Sequence, residues 1–262
     1  MLNLQISGVY AHVSSRDWES NVDVNPLEPS DQSCDDIALQ LIHGDTGKNL
    51  RVVLGGGRGE FTKSDERDEE GDYGRRTDGR NLIEEWKTGK KNSQYVWNAT
   101  SLKNLPNSTE YLLGLFESDH CKYHLDADDS EPSLEEMTEA AIKILSNGDE
   151  GYFLFVEGGR IDHAHHDTLA QRALDETVEF SKAIAKARQL TSEDDTLIVV
   201  TSDHAHTMSV SGYPPRGNNI FGIATMGRDG LPLATLTYAN GPGYKEEQEG
   251  RRHDITLDDM SK

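Results

Sequence analysis

Apolar residues along this chain come in two patterns: short continuous runs rich in β-branched residues, and longer stretches with a helical period. Arg51-Val-Val-Leu54 predicts a buried strand ending in Gly55-Gly56-Gly57. Tyr152-Phe-Leu-Phe-Val156 and Thr196-Leu-Ile-Val-Val-Thr201 predict two more. Unbroken apolar runs without polar alternation are the mark of strands covered on both faces. Ala234-Thr-Leu-Thr-Tyr238 is a weaker strand candidate. Between these runs the period changes. Ser133-Leu-Glu-Glu136 spells a capping box, and Leu134, Met137, Ala141, Ile144 and Leu145 follow at helical spacing. Asp167 to Leu190 reads as a long amphipathic helix with Leu169, Ala173, Leu174, Val178 and Ile184 on its inner stripe, and Asp36 to Ile42 as a shorter one. Strands alternating with helices, with no internal repeat, predict an α/β fold: a mostly parallel central sheet flanked by helices on both faces. The polar stretch from Ser64 to Gly74 and the acidic one from Asp126 to Glu131 read as solvated loops.

Composition narrows the function. The 262 residues suffice for one domain with a full core, and 34% hydrophobic content is low without implying disorder throughout. Asp and Glu number 47 against 26 Lys and Arg, for a formal charge of −21. That charge, with no basic cluster to offset it locally, argues against nucleic acid as a partner. It also makes the chain a poor host for an anionic substrate unless bound cations reverse the local field. Cys34 and Cys121 are too few and too far apart for a zinc finger. No stretch reaches the ~18 apolar residues of a membrane span, and the opening residues lack the pattern of a signal peptide. Asn98-Ala-Thr100 and Asn107-Ser-Thr109 are glycosylation sequons.

The chemistry concentrates in two segments. In Phe155-Val-Glu157-Gly-Gly-Arg-Ile-Asp162-His163-Ala-His165-His166, an apolar run leads directly into two carboxylates and three imidazoles. Ligand sites of open α/β sheets lie at the carboxyl ends of strands. Asp162 and His166, four residues apart, share a face if the segment is helical. One oxygen and one nitrogen ligand suit zinc, and Glu157 offers the oxygen that magnesium prefers. Thr201-Ser-Asp203-His204-Ala-His206 repeats the construction. Five of the ten histidines fall in these two segments. Two strand ends that each deliver carboxylate and imidazole can hold paired metals, which clamp the attacking and leaving oxygens of a phosphoryl displacement. From the residues alone, a hydrolase, a transferase and a mutase all fit.

Glu157-Gly-Gly-Arg-Ile-Asp162-His-Ala-His-His166, Val200-Thr-Ser-Asp203-His-Ala-His206 and Gly212-Tyr-Pro-Pro-Arg-Gly-Asn-Asn-Ile-Phe221 closely resemble the hallmarks of animal alkaline phosphatases. The resemblance runs colinearly through Tyr10-Ala-His-Val-Ser-Ser-Arg16-Asp-Trp18, Leu54-Gly-Gly-Gly57, Gly114-Leu-Phe-Glu117 and Asn240-Gly-Pro-Gly-Tyr244. It implies an alkaline phosphatase-like domain over residues 1–262, with surface insertions at about 58–78 and 118–131 and the start of a crown-like region near 222–262. It implies Asp162 and His166 as ligands of one zinc, Asp203 and His204 as ligands of another, and Glu157 as a magnesium ligand. His163 and His206 match positions that orient ligands and waters, and Arg16 matches the arginine that grips the substrate phosphate. Phe116, Glu117 and Glu131 match a structural calcium site. The implied reaction is hydrolysis of phosphate monoesters through a phosphoserine.

The same resemblance places the nucleophilic serine and further metal ligands outside this sequence, which implies a fragment lacking both ends, inactive by itself, with Cys34 a free thiol. It also implies a homodimer when complete, held on the outer face of the plasma membrane by a lipid anchor, or secreted. Two alternatives stand beside it: a related superfamily phosphodiesterase or mutase, and a non-catalytic truncated relative that binds metal or partners without turnover.

Overall fold

The computed structural model describes residues 14–24 and 34–258. Two compact units emerge, one made of residues up to 157 together with 179–196, the other of 158–178 and the residues from 197 onward.

The first unit is built on a parallel sheet. Strands β1 (Val52–Gly55), β2 (Ser93–Val96) and β3 (Tyr111–Leu115) lie in the order β1-β3-β2. Val53 pairs with Leu113, and Gln94 with Leu112. Because strand side chains alternate in direction, neighbouring residues of one strand serve opposite faces. Val53, Leu113 and Leu115 join Ile37, Ala38, Leu41 and Ile42 of α1 (Ile37–His43) and Leu82, Ile83 and Trp86 of α2 (Leu82–Thr88). Val52, Leu54 and Leu112 join the other cluster, with Leu102 of α3 (Ala99–Lys103), Met137, Ala141 and Ile144 of α4 (Leu134–Leu145), and Ala183. Helices therefore cover both faces, which is the α/β architecture the alternation of patterns predicted. Leu54, Leu112, Leu113 and Leu115 are fully excluded from water, and each such side chain contributes about 2 kcal/mol of apolar burial. Gly114 sits where two layers meet. A Cβ there would lie 2.5 Å from Leu54 Cδ2 and 2.7 Å from Phe116 Cζ.

The predicted capping box forms. Ser133 Oγ accepts the Glu136 N–H at 3.2 Å, and Glu136 returns the bond to the Ser133 N–H at 3.0 Å. Helix α1 starts on Asp36, whose side chain accepts the Leu39 N–H at 2.9 Å. The Ser64–Gly74 loop is not simply solvated, as its composition suggested. Arg58 is wholly buried and holds Asp68 at 2.8 Å and Glu70 through its guanidinium, while donating to the Leu115 carbonyl at 2.9 Å. Arg76, 1% exposed, grips both oxygens of Asp36 at 3.0 and 2.9 Å and also binds Asp78. The Arg58 guanidinium thus ties the acidic loop to the core, and that of Arg76 ties the residues after the loop to the start of α1.

The second unit holds α5 (Gly159–His166), the start of α6 (Ala170–Leu190) and two antiparallel pairs. Strand β4 (Met208–Val210) pairs with β7 (Leu236–Tyr238), and β5 (Ile223–Met226) with β6 (Pro232–Ala234). The single strand expected over Ala234–Tyr238 is therefore two. Thr235, buried between them, donates its hydroxyl to Gly222 O at 2.9 Å and accepts from Asn218 Nδ2 at 3.1 Å.

Two expectations need correction. Neither Tyr152–Val156 nor Thr196–Thr201 takes its place as a strand. Phe153 is 77% exposed, Leu197 86% and Val199 75%. Their sequence specifies burial on both faces, and the described residues do not supply the neighbours that would bury them. Within the first unit Phe153, Leu154 and Phe155 line a small apolar pocket with Leu50, Val52 and Leu145. The long helix begins at Ala170 instead of Asp167, because the preceding histidine-rich segment is a helix of its own, and Val178, expected inward, is exposed.

Candidate metal centre

Helix α5 opens on paired glycines, Gly158 as its cap and the buried Gly159 as its first residue. Its inner side is Ala164, which is fully excluded from water. The helix is capped after His166 by Asp167, whose N–H returns to His163 O at 2.9 Å. Thr168 then takes φ 60°, a left-handed backbone that β-branched residues rarely adopt. Asn240-Gly-Pro-Gly-Tyr244 packs on it so closely that a Cβ at Gly241 or Gly243 would lie 2.4 Å from the Thr168 side chain. A side chain at either position would therefore force Thr168 to shift.

The helical spacing brings Asp162 and His166 onto one face, with His166 Nε2 at 3.5 Å from Asp162 Oδ1. The segment after residue 197 delivers the partners. His206 Nε2 lies 2.8 Å from the same Asp162 oxygen, and His204 Nε2 lies 3.5 Å from it. Asp203 stands 3.5 Å from His204 Nε2. One carboxylate oxygen is thus faced by three imidazole nitrogens. The rings pack on one another, with His206 centred 5.0 Å from His204 and 5.1 Å from His166. Ligand atoms of Asp162, His204 and His206 all lie within 4.8 Å of one another. Neutral imidazoles present lone pairs to a cation, and a set of one carboxylate oxygen and several ring nitrogens is the donor chemistry of zinc. Burial and the neighbouring His206 depress the proton affinity of His165, against the pull of Asp162.

His163, on α5, takes a contact from Arg160 Nη1 at 2.8 Å through its Nδ1. Glu157 and Arg16 belong to the first unit, Glu157 half-buried and Arg16 exposed in a turn. Phe116 is buried beyond the end of β3, its N–H donating to Gly55 O at 2.8 Å. Glu117 binds Lys122 Nζ at 2.8 Å, and Glu131 accepts the Lys122 N–H at 3.3 Å. Burial, together with the charge of Glu117 and against the Lys122 N–H, pushes the Glu131 carboxyl up to about 8. The structure therefore brings Glu117 and Glu131 together, with Lys122 between them. The side chain of Asn98 caps α3 by accepting the Ser101 N–H at 2.8 Å, and Asn107 is exposed. The beginning of the Tyr10 motif lies outside the described residues. Sequence reasoning missed Lys122 and Tyr238. The Tyr238 hydroxyl meets His165 Nδ1 at 2.9 Å across 73 positions of chain, a pairing for which linear sequence carries no signal.

Residues 5–262 match the family model described as alkaline phosphatase. The chain belongs to the alkaline phosphatase family. It is similar to the membrane-bound alkaline phosphatase of Bombyx mori, 48% identical over 259 residues that make up 96% of this chain and 47% of that protein. The tissue-nonspecific isozyme of Homo sapiens is 44% identical over 267 residues, 97% of this chain and 50% of that one. The chain thus spans about half the length of these relatives. Among solved structures it resembles the alkaline phosphatase of the Antarctic bacterium TAB5, at a TM-score of 0.56 and 20% identity over 78% of this chain and 52% of that one. A mutant of the TAB5 enzyme with Mg bound in its M3 site matches at a TM-score of 0.58 and 21% identity, over 78% of this chain and 53% of that one. At that identity the likeness shows the fold. The alkaline phosphatase match runs through both units and takes in α5 and the 203–206 segment.

Proposed function

We propose that the whole protein hydrolyses phosphate monoesters at a centre of two zinc ions and one magnesium ion. The observation that carries this reading is the convergence of His166, His204 and His206 on one oxygen of Asp162. Asp162 and His166 would hold one zinc, Asp203 and His204 the other, and Glu157 the magnesium. When bound, such ions supply Lewis-acid charge to the attacking and leaving oxygens of an in-line displacement. They also answer the electrostatic difficulty of a chain with formal charge −21 taking a phosphate dianion.

The chain's own residues have distinct tasks in this reading. His206, 2.8 Å from Asp162, orients that carboxylate toward its ion. His163, in contact with Arg160 at 2.8 Å, would orient ligands and waters at the centre. Arg16 binds two phosphoryl oxygens through its planar guanidinium, a task for which lysine's point charge is a poor substitute. In this reading the attacking group is a serine that forms a phosphoserine, and it is not among the residues assigned above. Phe116, Glu117 and Glu131 would hold a calcium ion, with Lys122 giving up Glu117 on binding. The remaining readings are that Asn98 and Asn107 carry glycans, that the protein pairs as a homodimer, and that it works outside the cell, lipid-anchored or secreted. The substrates are small phosphate monoesters and not nucleic acid.

The test is zinc content and p-nitrophenyl phosphate turnover of a protein spanning the relatives' full length, beside its Asp162→Asn variant. Loss of bound zinc together with turnover in the variant is expected. A variant that keeps both would remove Asp162 from the centre.

A further inference from the structure

The hydroxyl of Tyr238, the ring of His165 and the ring of His206 form a continuous line that ends on the Asp162 carboxylate. Tyr238 OH lies 2.9 Å from His165 Nδ1. The His165 and His206 rings stack with centroids 4.7 Å apart and planes 23° from parallel. His206 Nε2 reaches Asp162 Oδ1 at 2.8 Å. Tyr238 is half-buried and fixed by backbone pairing: it stands in register with Met208, and Ala239 N–H donates to Thr207 O at 3.4 Å. The strand pair that carries Tyr238 is therefore the one that anchors the chain just after His206. A second cross-strand bond, Ser211 Oγ to Thr237 Oγ1 at 2.9 Å, locks the register.

We propose that Tyr238 and His165 are positioning residues of the metal centre, setting the angle at which His206 meets Asp162; the proposal rests on the metal-centre reading above. His165 lies one residue before the candidate ligand His166, yet its Nδ1 is turned to β7, away from a ligand's role. Its ring has two rotatable bonds, and a hydrogen bond at Nδ1 removes the freedom of the second. A ring so fixed offers His206 a flat face to stack on. His206, held on that face, keeps its Nε2 on the Asp162 oxygen. Partners of this kind, which never touch the ion, commonly change metal affinity by about 10- to 100-fold when removed.

The test uses the full-length protein. Zinc dissociation constants, by chelator competition, are measured for wild type, Tyr238→Phe, His165→Asn and the double variant, with the melting temperature of each metal-free form and the visible spectrum of each cobalt-substituted form. Each single change is expected to weaken zinc binding about tenfold and to shift the cobalt bands, because the ligand geometry relaxes. The double variant is expected to lose no more than either single one, since both break the same line. Zinc affinity in Tyr238→Phe within about twofold of wild type, or additive losses in the double variant, overturns the proposal. So does a lowered metal-free melting temperature with unchanged zinc affinity, which assigns the pair to folding alone. If Tyr238→Phe does not fold, His165→Asn carries the same comparison. Asp162→Ala separates the two levels: if it binds zinc like wild type, the metal-centre reading itself fails.

Discussion

Replacing Arg58 with Met removes the charge that neutralises a buried carboxylate. The Arg58 side chain is fully excluded from water and that of Asp68 is 1% exposed. Asp68 also accepts the Glu70 and Asp72 N–H groups at 3.0 and 2.9 Å. Met preserves most of the apolar stem, so the change isolates the guanidinium. Removing one partner of a buried ion pair costs about 3–5 kcal/mol, because the other charge is left uncompensated. The loop can relieve that cost by opening and rehydrating Asp68, so the loss appears first as local opening. At about 1.4 kcal/mol per decade, 3 kcal/mol corresponds to a rise of roughly 100-fold in the open population. Hydrogen exchange at the Glu70 and Asp72 amides reads it directly. The double variant Arg58→Met/Asp68→Asn should recover most of the protection, since no charge is then stranded. The pH dependence supplies a second arm. Burial would raise the Asp68 carboxyl, but the bonds from Arg58 and the Asp72 and Glu70 amides outweigh it and hold it below its ordinary 3.8. A carboxyl so depressed contributes stability that is present above pH 3.8 and lost as pH falls through its folded value. Wild-type protection, corrected for intrinsic exchange, should therefore be flat above that pH and fall below it. Exchange in Arg58→Met within about threefold of wild type would refute the reasoning.

Three further outcomes follow from the packing and the caps. Ser133→Ala removes one half of the capping box and should cost about 1 kcal/mol, read as faster amide exchange in the first turn of α4. Gly114→Ala puts a methyl 2.5 Å from Leu54 Cδ2 and should destabilise by about 1–3 kcal/mol, read as a lowered thermal midpoint. Leu54→Ala, at a position with no exposure, should cost about 2–5 kcal/mol through the cavity it leaves, read as an earlier denaturant midpoint.

The fold was legible where local chemistry decides it. Ser133 and Glu136 predicted a cap that forms, and the apolar Val52–Leu54 run predicted a strand buried on both faces. The central strand β3 is hard to read because Tyr111–Leu115 is short, carries Gly114 and follows a polar turn, which leaves little strand signal of its own. The runs at 152–156 and 196–201 misled for the opposite reason: their apolar pattern records the neighbours they are made for, and register with those neighbours is not written in the run itself. Arg58 and Arg76 were opaque because a buried ion pair is defined by residues ten to forty positions away. Of the candidate site, Asp162 and His166 were legible from helical spacing, and the joining of His204 and His206 to the same oxygen needed the tertiary fold. The partnership of Tyr238 with His165 needed it even more.

The most direct measurement is zinc content together with p-nitrophenyl phosphate turnover on the protein extended to its relatives' length. About two zinc ions per chain are expected, with turnover that disappears when a chelator strips them and recovers when zinc and magnesium are returned. A folded full-length protein that binds no zinc, or one whose turnover survives complete removal of metal, would contradict the metal-centre reading.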